Sequence, residues 1–297
     1  MTFSAQVKQE LKELELLSPC CIHAQGYGLF LFAKSFDASR ISFTTEDENL
    51  AAYYADYAQK QFGVSMPVKK NSAKKFTAAT QTTADSNAIF SAFGHSAGDT
   101  NLRINRANLA DSCCCGAFLR GVFLACGTIS TPQKHYHLEL VVPYKRLSMD
   151  LMKLMQELDL RPKYINRKGC HVVYLKDSEE IEDMLTAIGA TGASLELMGV
   201  KIHKDMRNRV NRRLNFETAN IGRTVDAALE QTQAICKIEA HGGLSSLPEP
   251  LRGLAELRRE NPEASLRELS ELLSPPISRS GVNHRLNKII EFAENIK

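Results

Sequence analysis

The sequence predicts an α+β fold in which a duplicated αββαββα unit precedes an all-α domain. A shift of 93 residues places Cys20 on Cys113 and Gly28 on Gly121, with further identities around them, which indicates an internal repeat. Each repeat mixes helical and alternating apolar patterns, whereas the last third of the chain shows helical spacing alone. These observations predict two kinds of domain in one chain.

Four segments are expected along the chain. An N-terminal helix (1–19) precedes the duplicated domain (20–200), whose repeats cover about 20–95 and 113–190. A basic helical linker (201–243) follows. A helix-turn-helix domain (244–297) comes last, with the motif itself at about 264–297.

The composition is that of an ordinary globular protein. The chain has 297 residues, 43% of them hydrophobic, and a formal net charge of +3. This total charge requires no nucleic-acid partner, so such a partner must be argued from local clusters. No run approaches the ~20 apolar residues of a membrane span, and the N-terminus lacks the pattern of a signal peptide. We therefore expect a cytoplasmic protein without membrane contact, associated with the nucleoid if it binds DNA.

The two repeats share one order of elements. The first repeat predicts helices and extended runs at 20–33, 40–44, 47–62, 65–68, 76–81 and 85–93. The second predicts them at 113–126, 136–142, 147–158, 164–166, 170–175 and 178–188. A glycine at the same place in each apolar helix allows close helix approach. Gly28 and Gly121 are therefore expected to form a pseudo-twofold seam, the alternative being two incidental glycines.

The eight cysteines allow two interpretations. They lie at 20, 21, 113, 114, 115, 126, 170 and 236, and should be reduced in a cytosolic protein. Because no C-x-x-C pair occurs, a zinc site is disfavoured. We expect the doublet at 20–21 and the triplet at 113–115 to be small buried helix residues, with convergence on a metal as the alternative. No cofactor, metal or small-molecule substrate is expected.

Basic residues cluster in the equivalent hairpin of each repeat. Two ribbons of this kind, related by pseudosymmetry, favour contact with phosphates, although solvated lysines are the alternative. The candidate phosphate contacts are Lys69, Lys70, Lys74 and Lys75 in the first repeat and Lys163, Arg167 and Lys168 in the second.

The segment 201–223 carries seven basic residues and two acidic ones. Arginine and asparagine at this density suit contacts with phosphate, the alternative being an ordinary solvated linker helix. The candidate contacts here are Arg207, Arg209, Arg212 and Arg213.

Three short helices are predicted after a glycine-rich and proline-containing break. The second begins at Ser265, which forms a capping box with Glu268. Pro275 and Pro276 then force a turn, because neither can continue a helix. Ser278 caps the third helix. Its predicted core face is Val282, Leu286, Ile289 and Ile290.

The other face of the third helix is basic and rich in amides, with no acid before Glu291. Arginine pairs with guanine and asparagine with adenine in the major groove, and a helix N-terminus favours phosphate. We therefore expect this helix to read DNA, although many three-helix units bind proteins. The predicted contacts are Ser278, Arg279, Ser280, Asn283, His284, Arg285, Asn287 and Lys288.

The apolar helix of the second repeat, at 118–129, resembles the LAGLIDADG helix of homing endonucleases. That resemblance implies a duplicated αββαββα saddle over DNA, with an acidic metal ligand just before the last glycine of each helix. Here the corresponding residues are Ala33 and Cys126. Neither supplies the hard oxygen ligand that magnesium-dependent cleavage needs, so these metal positions are degenerate.

The whole chain resembles the WhiA family of bacterial regulators, which combine a degenerate homing-endonuclease domain with a helix-turn-helix. The segments that carry the resemblance are 4–11, the helix at Cys20, 119–127 with 136–139, 211–215 with 219–220, and 280–285. The resemblance implies a LAGLIDADG-like saddle and transcriptional regulation linked to cell division, the cell cycle, chromosome segregation and, in some bacteria, sporulation.

Three functions are therefore compared. The first is a non-catalytic, sequence-specific protein that binds double-stranded DNA and contacts other transcription or division proteins. In the second, the duplicated domain is a protein-interaction module and only the C-terminal domain binds DNA. The third is an active homing-type endonuclease, against which Ala33 and Cys126 argue.

Overall fold

The structure, a computed structural model, describes residues 2–15, 18–97 and 101–296. The chain divides into two compact units, Met1–Lys204 (unit 1) and Asp205–Lys297 (unit 2). Each unit has an apolar core among these described residues. Within the same ranges, no helix has both the length and the apolar character to span a bilayer.

Unit 1 opens with helix α1 (Phe3–Glu13), whose N-terminus is capped by the Thr2 hydroxyl. Phe3, Val7 and Leu11 are buried along one face, as the helical spacing of this segment requires. The α1 helix thus packs into the core of unit 1.

The first repeat has the predicted order αββαββα. Its sheet is antiparallel in the order β1-β2-β4-β3. The elements are α2 (Pro19–Leu31), β1 (Ser35–Phe36), β2 (Ile41–Thr45), α3 (Glu48–Phe62), β3 (Val68–Lys70), β4 (Phe76–Ala79) and α4 (Thr83–Ala92).

The second repeat has the same order and the equivalent antiparallel sheet, β5-β6-β8-β7. Its elements are α5 (Ser112–Cys126), β5 (Gly127–Ile129), β6 (Leu138–Val142), α6 (Lys145–Gln156), β7 (Lys163–Arg167), β8 (Cys170–Leu175) and α7 (Ser178–Ile188). The duplicated α+β fold is therefore confirmed.

Strand bounds are where the sequence prediction was wrong. In the extended run expected at 65–68, Met66 is buried, but pairing with β4 begins only at Val68, opposite Ala78. The strand expected from 136 begins at Leu138, where β5 and β8 first provide partners. Burial alternates from Val64 to Pro67 without backbone pairing, so in that segment the side-chain pattern overstates the strand.

The pseudo-twofold seam between α2 and α5 is confirmed. A Cβ atom on Gly28 would lie 2.2 Å from the carbonyl oxygen of Phe118, and one on Gly121 would lie 2.0 Å from that of Gln25. The two contacts interchange under the 93-residue shift that relates the repeats. Only glycine allows the two backbones to approach this closely.

A long helix, α8 (Thr191–Gly242), begins in unit 1 and ends in unit 2. It starts before the predicted helical linker at 201, because the Glu10 carboxylate caps its first turn. This carboxylate accepts hydrogen bonds from the backbone N–H groups of Gly192, at 2.7 Å, and Ala193, at 3.1 Å.

Unit 2 contains the last part of α8 and three short helices, α9 (Glu249–Glu260), α10 (Leu266–Leu272) and α11 (Arg279–Glu294). Their apolar faces meet in a core that includes Ile235, Leu254, Leu269 and Leu286, all fully buried. The prediction that this part of the chain is all-α is confirmed.

Candidate nucleic-acid interface

Helices α10 and α11 form the predicted helix-turn-helix pair, and each of them begins at a capping serine. The Ser265 hydroxyl accepts from the Glu268 N–H at 3.3 Å, while the Glu268 carboxylate accepts from the Ser265 N–H at 2.7 Å. This hydrogen bonding lowers the pKa of Glu268, since it stabilises the carboxylate. At the start of α11, the Ser278 hydroxyl accepts from the Gly281 N–H at 3.2 Å.

The α11 helix presents an apolar face to the core of unit 2 and a polar face to solvent. Val282, Leu286 and Ile289 are fully buried, as predicted, whereas Ile290 is only half-buried. The predicted contacts that are exposed are Ser278, Arg279, Ser280, Asn283, His284, Asn287 and Lys288. This face carries no acidic residue from Ser278 to Ile290, and thus offers only neutral and positive groups to a partner.

Arg285 differs from the other predicted contacts. Its side chain is half-buried, and Nη1 donates a hydrogen bond to the Pro250 carbonyl at 3.3 Å. The guanidinium therefore ties α11 to the start of α9, and it faces away from the exposed side of α11.

A cationic groove in unit 2 lies beside the first two turns of α11. It has a volume of about 290 Å³, and Arg223, Arg267, Arg279 and Asn283 are among the residues that line it. No acidic side chain is part of the lining among the described residues, although Arg267 also pairs with Glu271 at 3.1 Å. Such a groove suits the binding of a phosphate group.

Arg223 and Arg267 were not among the predicted contacts. Arg223 lies within the basic segment of α8, and Arg267 follows the α10 cap by two residues. The local charge was visible in the sequence, but the packing that brings α8 beside α10 and α11 was not.

A buried arginine, Arg258, connects the segments that line this groove through hydrogen bonds. Arg258 is 2% exposed, and its Nε donates to Oε1 of Gln231 at 2.9 Å. Its Nη1 donates to the carbonyls of Pro262, at 3.3 Å, and Ala264, at 2.5 Å. Burial lowers the pKa of Arg258. The guanidinium thus joins α8 to the chain between α9 and α10 through satisfied hydrogen bonds.

The basic segment of α8 is exposed at Arg207, Arg209, Arg212 and Arg213. Arg213 pairs with Glu217 at 2.9 Å, whereas the other three form no ion pair among the described residues. The segment therefore keeps most of its positive charge available to solvent.

The two basic hairpins of unit 1 are exposed, but part of their charge is compensated. Lys75 pairs with Glu46 at 3.3 Å, and Arg167 with Glu139 at 3.7 Å. The remaining predicted contacts are exposed at Lys69, Lys70, Lys74, Lys163 and Lys168. Each hairpin therefore offers less free charge than its sequence indicates.

The positions corresponding to nuclease metal ligands do not fit a magnesium ion. Ala33 is buried just after the end of α2, and its side chain has no donor atom. Cys126 ends α5, and burial raises the pKa of its thiol to about 12. The ammonium of Lys8, which donates to the Leu124 carbonyl at 3.3 Å, acts electrostatically on Cys126. A neutral thiol beside a cation does not provide the oxygen ligands that magnesium prefers.

The cysteines at the start of α2 and α5 are not all buried. Cys21 and Cys114 are buried, Cys20 and Cys115 are half-buried, and Cys113 is exposed. The prediction that these residues are all small core residues is therefore wrong for Cys113. All eight cysteines are free thiols in the structure.

Comparisons with known proteins match both units. The profile of the WhiA LAGLIDADG-like domain matches residues 115–207, and that of the WhiA C-terminal HTH domain matches residues 210–293. The "probable cell division protein WhiA" of Alkaliphilus metalliredigens is 36% identical, over 99% of this chain and 98% of its own length. Its counterpart in Ruminiclostridium cellulolyticum is 38% identical, over 100% and 98%.

A solved structure shares the fold. The crystal structure of full-length DUF199/WhiA from Thermatoga maritima matches with a TM-score of 0.59 and 24% identity. The match covers 100% of this chain and 99% of that one.

Proposed function

The chain belongs to the WhiA family, and from that premise we propose that it is a non-catalytic, sequence-specific DNA-binding protein of the cytoplasm. The observation that carries the proposal is the exposed face of α11, which is polar or basic and free of acids from Ser278 to Ile290. In this proposal α11 reads base edges, and the neighbouring cationic groove binds the DNA backbone.

The proposal extends to transcriptional regulation. Because relatives are named probable cell division proteins, we propose target genes that act in cell division. The resemblance to the WhiA family extends this proposal to chromosome segregation and, in some bacteria, sporulation. The proposal excludes DNA cleavage, because Ala33 and Cys126 replace both of the carboxylates that such a site needs.

The test measures binding of the full-length protein to selected genomic fragments and to random duplex DNA. Binding is detected by fluorescence anisotropy over a salt series, with magnesium present. Selected fragments are expected to bind at least about 10³-fold more tightly than random duplex at physiological salt. The same samples, run on a gel, are expected to contain intact DNA. Equal affinity for all sequences contradicts specific recognition, and nicked DNA contradicts the non-catalytic assignment.

Replacing Arg207, Arg209 and Arg212 together by glutamine is expected to weaken binding to selected and random DNA alike. Each phosphate contact that is lost should reduce the slope of log K against log salt by about 0.9. All three side chains are exposed, so the substitutions leave the fold unchanged. An unchanged slope in the anisotropy series shows that this part of α8 does not contact DNA.

A second proposal assigns DNA binding to unit 2 alone and makes unit 1 a protein-interaction module. It is favoured by the pairing of Lys75 with Glu46 and of Arg167 with Glu139, which reduces the free charge of both hairpins. Replacing Lys69, Lys70 and Lys74 by glutamine separates the two proposals. A reduced salt slope assigns phosphate contacts to unit 1, whereas an unchanged affinity and slope support the interaction module.

A further inference from the structure

Four cysteines meet at the N-terminal end of the seam between the repeats. Cys20 and Cys21 lie in the first turn of α2, and Cys113 and Cys114 lie in the first turn of α5. Their four Sγ atoms are all within 4.8 Å of one another. Among the cysteine, histidine and acidic side chains of the described residues, these four cysteines form the group whose ligand atoms lie close enough to hold one metal ion.

The distance between the sulfurs of Cys20 and Cys113 matches the edge of a tetrahedral site, and the other sulfur pairs lie within 4.8 Å. A Zn–S bond is about 2.3 Å long, so two sulfurs of a ZnS₄ tetrahedron lie about 3.8 Å apart. Sγ of Cys20 and Sγ of Cys113 are separated by 3.8 Å. This distance is too long for a disulfide bond, and the four thiols crowd too closely for the spread ligands of an iron–sulfur cluster.

Each pair of cysteines lies at the positive end of a helix dipole. Burial nevertheless raises the pKa of Cys21 and Cys114, and hydrogen bonding to Cys21 and Cys20 raises that of Cys113. All four cysteines occupy first turns, where the positive end of the helix dipole stabilises a negative sulfur. The side chains of Ser18 and Asp111, which precede the two helices, form no capping hydrogen bond. The Ser18 hydroxyl instead lies 2.9 Å from Sγ of Cys20, where it can donate to a thiolate as an outer-shell partner.

The cluster combines a buried base with an open side. Cys114 and Cys21 are 1% and 9% exposed, whereas Cys20 is half-buried and Cys113 is exposed. A metal ion can therefore enter from solvent past Cys113 and reach two ligands that are already fixed by packing. Cys115, the third residue of the triplet, does not belong to the cluster.

We propose that Cys20, Cys21, Cys113 and Cys114 bind one zinc ion as a tetrathiolate site that joins the two repeats. Cys20 and Cys113 are related by the 93-residue repeat, so the ion lies on the pseudo-twofold axis of the seam. Binding replaces the thiol protons, which pass to water, and yields four Zn–S bonds. The site is distinct from the degenerate nuclease positions, because twelve helical residues, about 18 Å, separate Cys114 from Cys126.

The proposed site lies at one end of the interface between α2 and α5, whereas Gly28 and Gly121 lie in the middle of that interface. Four ligands and no open position are typical of structural zinc, which contributes directly to stability. The zinc ion therefore acts as a crosslink between the repeats, and its removal should loosen unit 1 at the N-termini of α2 and α5.

The test uses full-length protein, reduced and stripped of metal, and Co²⁺ as a spectroscopic probe. One equivalent of Co²⁺ is expected to produce the visible absorption of a tetrahedral tetrathiolate complex, and Zn²⁺ should then displace it. The double variant Cys20→Ser, Cys113→Ser is expected to lose this spectrum and to bind Zn²⁺ at least about 100-fold more weakly. The matched controls Cys115→Ser and the pair Cys170→Ser, Cys236→Ser should keep both properties.

A second measurement needs no substitution. Zn²⁺ is expected to protect Cys20 and Cys113 of the wild-type chain from alkylation, while the exposed Cys170 and Cys236 react at an unchanged rate. The proposal is overturned if Co²⁺ gives an octahedral spectrum or no visible absorption, or if the double variant keeps the wild-type spectrum. It is also overturned if Zn²⁺ does not change the alkylation rates of Cys20 and Cys113. A Cys20–Cys113 disulfide that forms in place of metal uptake overturns it equally.

Discussion

Gly121→Ala is expected to lower the free energy of unfolding of unit 1 by about 3 kcal/mol, at the upper end of overpacking effects. The new Cβ would lie 2.0 Å from the Gln25 carbonyl oxygen and 2.7 Å from the Leu29 nitrogen. Both atoms belong to the backbone of α2, so no side-chain rotation relieves the clash. The helices must separate, which disturbs the packing along the whole seam.

Tyrosine fluorescence during urea unfolding measures this effect selectively, since the chain has no tryptophan and all eight of its tyrosines lie in unit 1. Gly199→Ala is the matched control, because nothing lies within 4 Å of its added Cβ. That control should raise the free energy of unfolding by up to ~1 kcal/mol through helix propensity alone. A loss for Gly121→Ala no larger than the usual scatter of surface substitutions, ~0.5 kcal/mol, contradicts the close approach.

Pseudosymmetry extends this prediction to the other repeat. A Cβ on Gly28 meets the Phe118 carbonyl at 2.2 Å, which is the equivalent contact with the repeats exchanged. Gly28→Ala should therefore cause a similar loss in the same urea experiment. A large effect at one glycine and none at the other contradicts a symmetric seam.

The duplicated fold was predictable because both copies carry the same signals. Matched glycines and cysteines predict the repeat, and apolar periodicity predicts the order of its elements. The short strands β1 and β5 belong to the predicted order but were not located in the sequence, since two or three residues are too few for alternation to appear. The ends of the strands were not predicted correctly either, because Val64 and Met66 are buried without belonging to a strand.

The candidate DNA-binding face was largely visible in the sequence, because it lies on a single helix with a clear core side. The cationic groove was not, since Arg223, Arg267 and Arg279 come from three different helices. The cysteine cluster was only the less favoured alternative in the sequence, for another reason. Spacing rules such as C-x-x-C describe ligands within one loop, whereas this cluster combines two helix N-termini that the repeat itself brings together.

Within the proposed function, Arg279→Ala and Asn283→Ala are each expected to lower the affinity for specific DNA by about 1–3 kcal/mol. Both side chains are exposed on the first two turns of α11, beside the buried Val282. Neither makes a hydrogen bond or ion pair within the described part of the chain. Their removal should therefore leave unit 2 folded, which circular dichroism can check.

The control is the pair Arg259→Ala, Asn295→Ala, which has the same composition but lies away from this face. Arg259 pairs with Glu239 at 2.6 Å, and the Asn295 amide donates to the Glu291 carbonyl at 2.8 Å. This pair should retain wild-type discrimination between selected and random DNA in the anisotropy assay. Full discrimination in the Arg279 and Asn283 double variant would show that α11 does not read bases.

The assay also distinguishes base contacts from phosphate contacts at Arg279, which lies both on α11 and in the cationic groove. If Arg279 reads a base, its loss lowers the ratio of specific to random affinity and leaves the salt slope unchanged. If it binds phosphate, the slope falls by about 0.9 and the ratio is kept. Arg223→Gln and Arg267→Gln are expected to show the phosphate pattern, because both side chains line the groove but lie outside α11. Base-specific losses at these two positions would place the reading surface in the groove, and no longer on the exposed face of the helix.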